Sequence, residues 1–314
     1  MSTPAPTLPP AALPPATRRG LPGLRAMGSL GRAILSNRKA TAGAILLALC
    51  LFIAIFPGLI APGDPNAEVF QPGQGPTAAN WLGTTSYGQD IFAQFIWGAR
   101  ASLIIAVVAG LLSTVLSVLV GVAAGYLGGM TDSLLSLVTD VFLVIPAFPL
   151  VVVIAAYSKT GGNSMIIAVL VLTGWSYGAR QLRAQVLSLR HREFLTAARL
   201  RGERSWRIIV SEILPNMTSL LVANFLGASV YAILTAAGLQ FLGLGNVNID
   251  SWGTMLYWAQ NNEALQAGIP LWAIAPGFGI AALGGAFALL NYAFDEISNP
   301  VLRPVRRRRA RRGS

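Results

Sequence analysis

Six long apolar runs limit what this chain can fold into. Each is close to the length of about 20 residues that an α-helix needs to cross the hydrocarbon core of a bilayer. The 314-residue chain is 54% apolar and only 11% charged, whereas a soluble domain carries about 25% charged residues. This composition excludes an ordinary soluble enzyme and a disordered chain. We therefore predict membrane-spanning helices over residues 41–60, 102–127, 134–157, 161–177, 217–239 and 270–292.

The basic residues fall in three blocks between and beyond these runs. All 23 lysines and arginines except Arg100 and Lys159 lie within residues 18–39, 180–207 or 303–312. Because loops rich in Lys and Arg stay on the cytoplasmic side, six crossings with both termini in the cytoplasm place all three blocks on one side. The net charge of +11 also suits nucleic-acid binding. The apolar runs explain the placement of the charges better, so we expect no nucleic-acid partner.

The chain lacks the residue sets that catalytic and metal sites use. Cys50 is the only cysteine and His191 the only histidine, so we predict no catalytic residues and no metal site. No G-x-x-x-x-G-K-[ST] motif is present, and we expect this chain to bind no cofactor and to hydrolyse no ATP. An ion-coupled secondary transporter, a different class of protein, would use Asp140 in the third run. We interpret Asp140 as a polar anchor, since such carriers usually contain an internal repeat and none is clear here.

Gly121 and Gly125 have the spacing of a helix-packing pair, which we expect to act within the chain.

Polar and apolar segments alternate along the sequence and divide the chain into four parts. The predicted parts are a flexible basic cytoplasmic arm (1–40), a first transmembrane helix with an extracytoplasmic loop (41–97), a five-helix core (98–300) with a basic loop (180–214), and a basic cytoplasmic tail (301–314).

The basic loop contains the most informative stretch, EFLTAARLRGERSWRIIVSEILPN, over residues 193–216. Phe194, Ala197, Ala198 and Arg201 fall on one side of a short helix, and the glycine that follows ends it. A second short apolar helix then runs towards the proline. Two such helices form either an interfacial hairpin on the lipid or a docking element for another protein, with the alanines allowing close approach.

This stretch resembles the "EAA" loop of permease subunits of bacterial ATP-binding-cassette importers. Ala197-Ala198 is followed after three residues by Gly202, and Leu214-Pro215 falls at the family distance. Thr196 replaces the family Glu, and Glu212 occupies the family Ile position. Further stretches are similar to the "C" permease type of the dipeptide and oligopeptide importers, namely Trp81–Thr84, Gly98–Leu103, Phe241–Gly245 and Ser251–Gly253.

The resemblance implies an all-α integral membrane protein with six transmembrane helices, the type I importer permease fold and cytoplasmic coupling helices. It implies half of a pore in the bacterial inner membrane. The expected partners are a homologous second permease, two ATPase subunits that bind ATP and Mg²⁺, an extracytoplasmic substrate-binding protein and the lipid bilayer. The residues expected to couple to the ATPase are Glu193, Phe194, Thr196, Ala197, Ala198, Arg199, Arg201, Gly202, Leu214 and Pro215.

The substrate is less constrained by these residues. The resemblance implies peptides, and the same machinery in related systems imports oligosaccharides or nickel. Aromatic side chains within the apolar runs are the candidates for the substrate path, with helix or lipid packing as their other role. They are Phe142, Phe148, Tyr231 and Phe278.

Overall fold

The structure is a computed structural model that describes residues 37–157 and 162–298. Within these ranges the regular secondary structure is helical, without a β-strand, and one isolated β-bridge joins Thr84 and Asp90. The predicted arm up to residue 36, position 161 and the predicted tail at 301–314 lie outside the described residues. The helices are α1 Arg38–Ile55, α2 Pro57–Ile60, α3 Ile91–Leu127, α4 Gly129–Val144, α5 Ala147–Tyr157, α6 Asn163–Gly174, α7 Ser176–Leu189, α8 Glu193–Leu200, α9 Ser205–Ile208, α10 Leu214–Asn216, α11 Thr218–Phe241, α12 Trp252–Asn261 and α13 Leu271–Ser298.

Four described helices, α1, α3, α11 and α13, are each long and apolar enough to cross a membrane. Two further pairs pass the same test only together: α4 with α5, bent by 88°, and α6 with α7, bent by 42°. The described part of the chain therefore has four spans, or up to six if each bent pair is one span. The predicted all-helical membrane fold is confirmed, and the count of six holds only if both bent pairs cross the bilayer.

The sharper bend lies where Pro146 follows Ile145. A residue before proline is pushed out of the α region, and Ile145 is extended, with φ −69° and ψ 128°. Proline also lacks the N–H that would continue the helix. The third apolar run, predicted as one span over 134–157, is therefore two helices almost at right angles.

Helix α3 is the longest helix among the described residues. Asp90 caps it by accepting a hydrogen bond from the Phe92 N–H at 3.0 Å, and it ends before Gly128, whose φ is +69°. Its 37 residues span about 55 Å at 1.5 Å per residue. The helix that contains the predicted span 102–127 begins earlier, at Ile91, and this longer helix is apolar enough to cross a membrane.

The other helices pack on α3 through small residues. A Cβ atom added at Gly121 would collide with the Ala179 carbonyl of α7, and one at Gly125 would lie 2.9 Å from the Arg183 carbonyl oxygen. The predicted glycine pair therefore packs α3 on α7 within the chain. The Ser117 hydroxyl adds a hydrogen bond of 2.6 Å to the Trp175 carbonyl oxygen.

Two ion pairs join α4 to α7. The Arg183 guanidinium binds the Asp132 carboxylate through two hydrogen bonds of 2.6 and 2.8 Å, in a partly buried position. Arg180 pairs with Asp140 at 2.8 Å, with both side chains largely exposed. The partner of Asp140 is thus an arginine of the same chain, as a polar anchor requires.

The two ends of α3 have different surroundings. At the end near Ile91, here called the loop end, the long polar segments between α2 and α3 and between α11 and α13 meet, and Trp252 donates to the Phe95 carbonyl oxygen. At the end near Leu127, here called the knob end, the basic segment between α7 and α11 packs on the helix. The two ends are about 55 Å apart along α3, more than the hydrocarbon thickness of about 30 Å.

Candidate functional site

The basic segment at the knob end folds into a compact unit over residues 190–217, here called the knob. Its first helix is α8. Glu193 lies in the first turn of α8 and Arg199 in the last, so each charge faces the helix-dipole end of opposite sign. These charges favour a short helix at the predicted position.

Gly202 ends α8 in a Schellman motif. The Gly202 N–H donates to the Arg199 carbonyl oxygen at 2.9 Å, and the Glu203 N–H donates to the Ala198 carbonyl oxygen at 3.3 Å, which is the pairing of that motif. The φ of Gly202 is +72°, a conformation that a residue with a Cβ atom adopts at a cost. Arg201 then pairs with Glu203 at 2.8 Å. The predicted helix break is therefore a hydrogen-bonded turn at Gly202.

The second half of the knob ends at the predicted Leu214-Pro215. Helix α9 continues into a π-helical turn over Ile209–Ile213, in which the Leu214 N–H donates to the Ile209 carbonyl oxygen. Pro215 has no N–H to continue the α-helical pattern. A π turn next to this proline keeps Ile213 buried while the chain bends towards α11.

One side of the knob is buried against the helices of the chain itself. Leu195, Ala198 and Ile213 are fully inaccessible to solvent. They belong to one apolar cluster with Val122 of α3 and Leu182 of α7. Ala198 therefore allows α8 to pack closely on this chain's own helices. We expected both alanines to allow close approach of a partner protein. Only Ala197 can do so, because it is exposed.

Other apolar side chains of the knob are exposed to solvent. Leu200 is 84% exposed and Trp206 is 63% exposed, and Phe194 and Val210 are also exposed. We call these four residues the knob patch. Within α8, Phe194, Ala197 and Leu200 follow each other at intervals of three residues, so they lie along neighbouring positions of the helix surface. Of these four, the predicted coupling set contained only Phe194 and missed Leu200, Trp206 and Val210. The signal available in the sequence was an apolar side chain at a helix position away from the buried ones.

The other members of the predicted coupling set lie in the same knob. The Arg199 guanidinium lies over the Tyr126 ring, 5.1 Å from its centroid, which ties α8 to the end of α3. Glu193, Thr196, Arg201 and Pro215 are exposed, and Leu214 is half-buried. The structure thus brings all ten predicted coupling residues into one unit, with Ala198 inside it.

A second feature is a cavity of about 650 Å³ between α4, α5, α6, α7, α11 and α13. Two of the four predicted aromatic residues, Phe142 and Tyr231, line it. Phe148 and Phe278 are exposed and do not line it. The Tyr231 hydroxyl lies 3.2 Å from the Thr173 hydroxyl, so the cavity wall is polar as well as aromatic.

Two asparagines that sequence analysis missed also line this cavity. Nδ2 of Asn224 and Oδ1 of Asn291 are buried and have no hydrogen-bond partner. A buried amide atom without a partner costs about 1–3 kcal/mol. Polar residues within apolar helices mark transport pathways, and this was the signal available in the sequence.

Comparison with known proteins identifies the family. The family described as binding-protein-dependent transport system inner membrane component matches residues 117–303. The chain belongs to this family. It is 37% identical over 229 residues to the oligopeptide transport system permease protein OppC of Mycobacterium tuberculosis, covering 72% of this chain and 78% of the relative. It is 32% identical over 274 residues to the dipeptide transport system permease protein DppC of Alkalihalophilus pseudofirmus, covering 85% and 87%. It is 30% identical over 275 residues to the glutathione transport system permease protein GsiD of Pectobacterium atrosepticum, covering 87% and 90%.

This membership confirms the predicted permease role. The chain is an integral protein of the bacterial inner membrane and a permease subunit of an ATP-binding-cassette importer. Such a subunit is not itself catalytic, and it works with ATPase and substrate-binding partners.

Proposed function

We propose that this permease subunit forms half of a translocation pathway for peptides and that its knob transmits the motion of an ATPase subunit to that pathway. The observation that carries this proposal is that the knob has both buried and exposed apolar side chains. Leu195, Ala198 and Ile213 are built into the apolar core on α3 and α7, whereas the four residues of the knob patch are exposed to solvent. An exposed apolar patch of this kind marks an interaction surface.

The mechanism follows from how the knob is attached. Because Leu195 and Ile213 are fully buried against α3 and α7, a force on the knob patch moves these helices together with the knob. Helices α7 and α11 both line the 650 Å³ cavity. ATP-driven closure of two docked ATPase subunits would then rock the cavity between inward-facing and outward-facing states, provided that the docking energy differs between the states.

The remaining assembly is part of the proposal. A homologous second permease would complete the 650 Å³ cavity, with two ATPase subunits at the knob end. The three basic blocks favour a cytoplasmic knob and cytoplasmic termini. The loop end would then lie outside, where a substrate-binding protein delivers the cargo. The expected cofactors, ATP and Mg²⁺, belong to the ATPase subunits and not to this chain.

Peptides are the proposed cargo because the three relatives named above are permeases of oligopeptide, dipeptide and glutathione transport systems. This favours peptides over the oligosaccharides and nickel that the sequence left open. Asn224 and Asn291 offer a free amide donor and acceptor inside the cavity, which suits the amide groups of a peptide backbone.

The test uses the two neighbouring alanines of α8. Ala197→Glu places a charge on the exposed side of the knob, and we expect ATP-driven uptake of a labelled tripeptide into proteoliposomes to be lost while membrane insertion and the thermal stability of the chain stay unchanged. Ala198→Glu buries a charge and should instead destabilise the chain. Normal uptake by the Ala197→Glu complex would contradict the coupling role.

A further inference from the structure

The loop end of the chain holds a second cavity, whose lining residues differ from those of the 650 Å³ cavity. It has a volume of about 480 Å³ and lies between the α2–α3 segment, the α11–α12 segment and the start of α13. This volume falls within the range of small-molecule sites, about 300–1,000 Å³. We call it the loop-end cavity.

The rim of the loop-end cavity is acidic. Glu68 and Asp250 line it, and among the described lining residues none is a lysine or an arginine. The Asn66 amide donates to both carboxylate oxygens of Asp250 at 3.1 Å and so holds that carboxylate in place. Burial raises the pKa of Asp250, and the neighbouring Asp64 raises it further. A cationic partner would relieve both effects.

The wall of the cavity is aromatic. Tyr87 stands edge-on to both Trp258 and Trp272, with ring centroids 6.4 Å apart in each pair, and all three residues line the cavity. Aromatic rings beside carboxylates are the environment that binds organic ammonium groups. Within residues 37–157 and 162–298, no group of three His, Cys, Asp or Glu side chains is placed to hold a metal ion, which favours an organic cation over a metal.

An independent observation comes from Trp272. This side chain is 1% exposed, and its Nε1 atom is buried without a hydrogen-bond partner. The indole of Trp258, by contrast, donates to the Val247 carbonyl oxygen at 3.0 Å. Buried indole N–H groups normally find an acceptor, so Trp272 offers a donor to a ligand in the cavity.

We propose that the loop-end cavity binds a primary ammonium group through Glu68 and Asp250, with an acceptor atom of the same ligand taking the Trp272 indole hydrogen. Two sources carry this chemistry. One is the amino terminus of a short peptide, whose first carbonyl oxygen is the acceptor, and this source rests on the proposed function. The other is the ethanolamine headgroup of a phospholipid, whose phosphate oxygen is the acceptor.

The test is direct binding, without ATP or transport, to the full chain in nanodiscs of phosphatidylcholine. The probe is trialanine, titrated by calorimetry against N-acetyl-trialanine, which lacks the ammonium group. We expect saturable binding of trialanine, and binding of the acetylated peptide weaker by about tenfold or more. Equal binding of both peptides, or no binding of trialanine up to about 10 mM in these nanodiscs, would overturn the proposal.

Three variants assign the residues. Glu68→Gln and Trp272→Phe should each weaken trialanine binding by about tenfold. Glu68 is exposed on the rim, so its change leaves the fold intact even if Trp272→Phe does not. The matched control is Glu263→Gln, an exposed acid of the same end of the molecule that does not line the cavity, and its binding should equal the wild type. A Glu68→Gln chain that binds as tightly as the wild type would overturn the assignment.

Nanodiscs that contain phosphatidylethanolamine separate the two sources. Competition between this lipid and trialanine supports the ammonium site with the headgroup as an occupant, and its absence supports the site with the peptide terminus alone. The binding test measures no uptake, so its result is independent of the coupling test. Trialanine can bind even if the coupling proposal fails, and coupling can be confirmed even if trialanine does not bind.

Discussion

The knob patch makes its sharpest prediction at Leu200. This side chain is 84% exposed in the single chain, and docking of an ATPase on the patch would bury most of it. Burying a leucine contributes about 1.5–3 kcal/mol, of which an alanine retains roughly a third. Leu200→Ala should therefore weaken docking by about 1–2 kcal/mol, or roughly 5- to 30-fold in Kd.

The assay is surface plasmon resonance of the purified ATPase subunit over nanodiscs that hold this chain and its partner permease. Leu265→Ala is the matched control, since Leu265 is 69% exposed but lies at the loop end, and its Kd should equal the wild type. The reasoning is refuted if Leu200→Ala binds within twofold of the wild type, or if Leu265→Ala weakens binding to the same degree.

Three further predictions concern the packing that supports the knob. Leu195→Ala removes a fully buried side chain and should lower the free energy of unfolding by about 2–5 kcal/mol. The readout is a lower midpoint of thermal unfolding, and an unchanged midpoint would mean that α8 is not packed into the core. Gly121→Ala puts a Cβ atom against the Ala179 carbonyl and should destabilise the chain, whereas Gly277→Ala, which meets nothing within 4 Å, should not; equal midpoints for the two variants would contradict this packing. A double-mutant cycle on Asp132 and Arg183 should give a coupling energy of about 1 kcal/mol, against nearly zero for the exposed pair of Asp140 and Arg180, and similar values for both pairs would show that burial does not distinguish them.

Local features of the knob were predictable from the sequence. Gly202 ends α8 because only a glycine takes the required φ without cost, and the helical turns that follow end at Asn216, one residue after the predicted Leu214-Pro215. The apolar runs likewise predicted the helical membrane fold, since a chain in lipid must satisfy its backbone hydrogen bonds internally. Each of these inferences depends on a residue and its near neighbours alone.

Tertiary packing decided what the sequence could not. A bend at Pro146 follows from the proline itself, but its angle of 88° does not. Ala197 and Ala198 differ by only 100° around α8, yet one is exposed and the other buried. Asn224 and Asn291 lie 67 positions apart in the sequence, and only the fold shows that they line one cavity.

The central claim is that the knob patch is the surface on which an ATPase acts. The most direct measurement is photo-cross-linking in cells, with a benzophenone amino acid in place of Leu200, and in place of Leu265 as the control. We expect an adduct with the ATPase subunit from position 200 and none from position 265. The absence of an ATPase adduct at position 200, or an equal adduct at position 265, would contradict the claim.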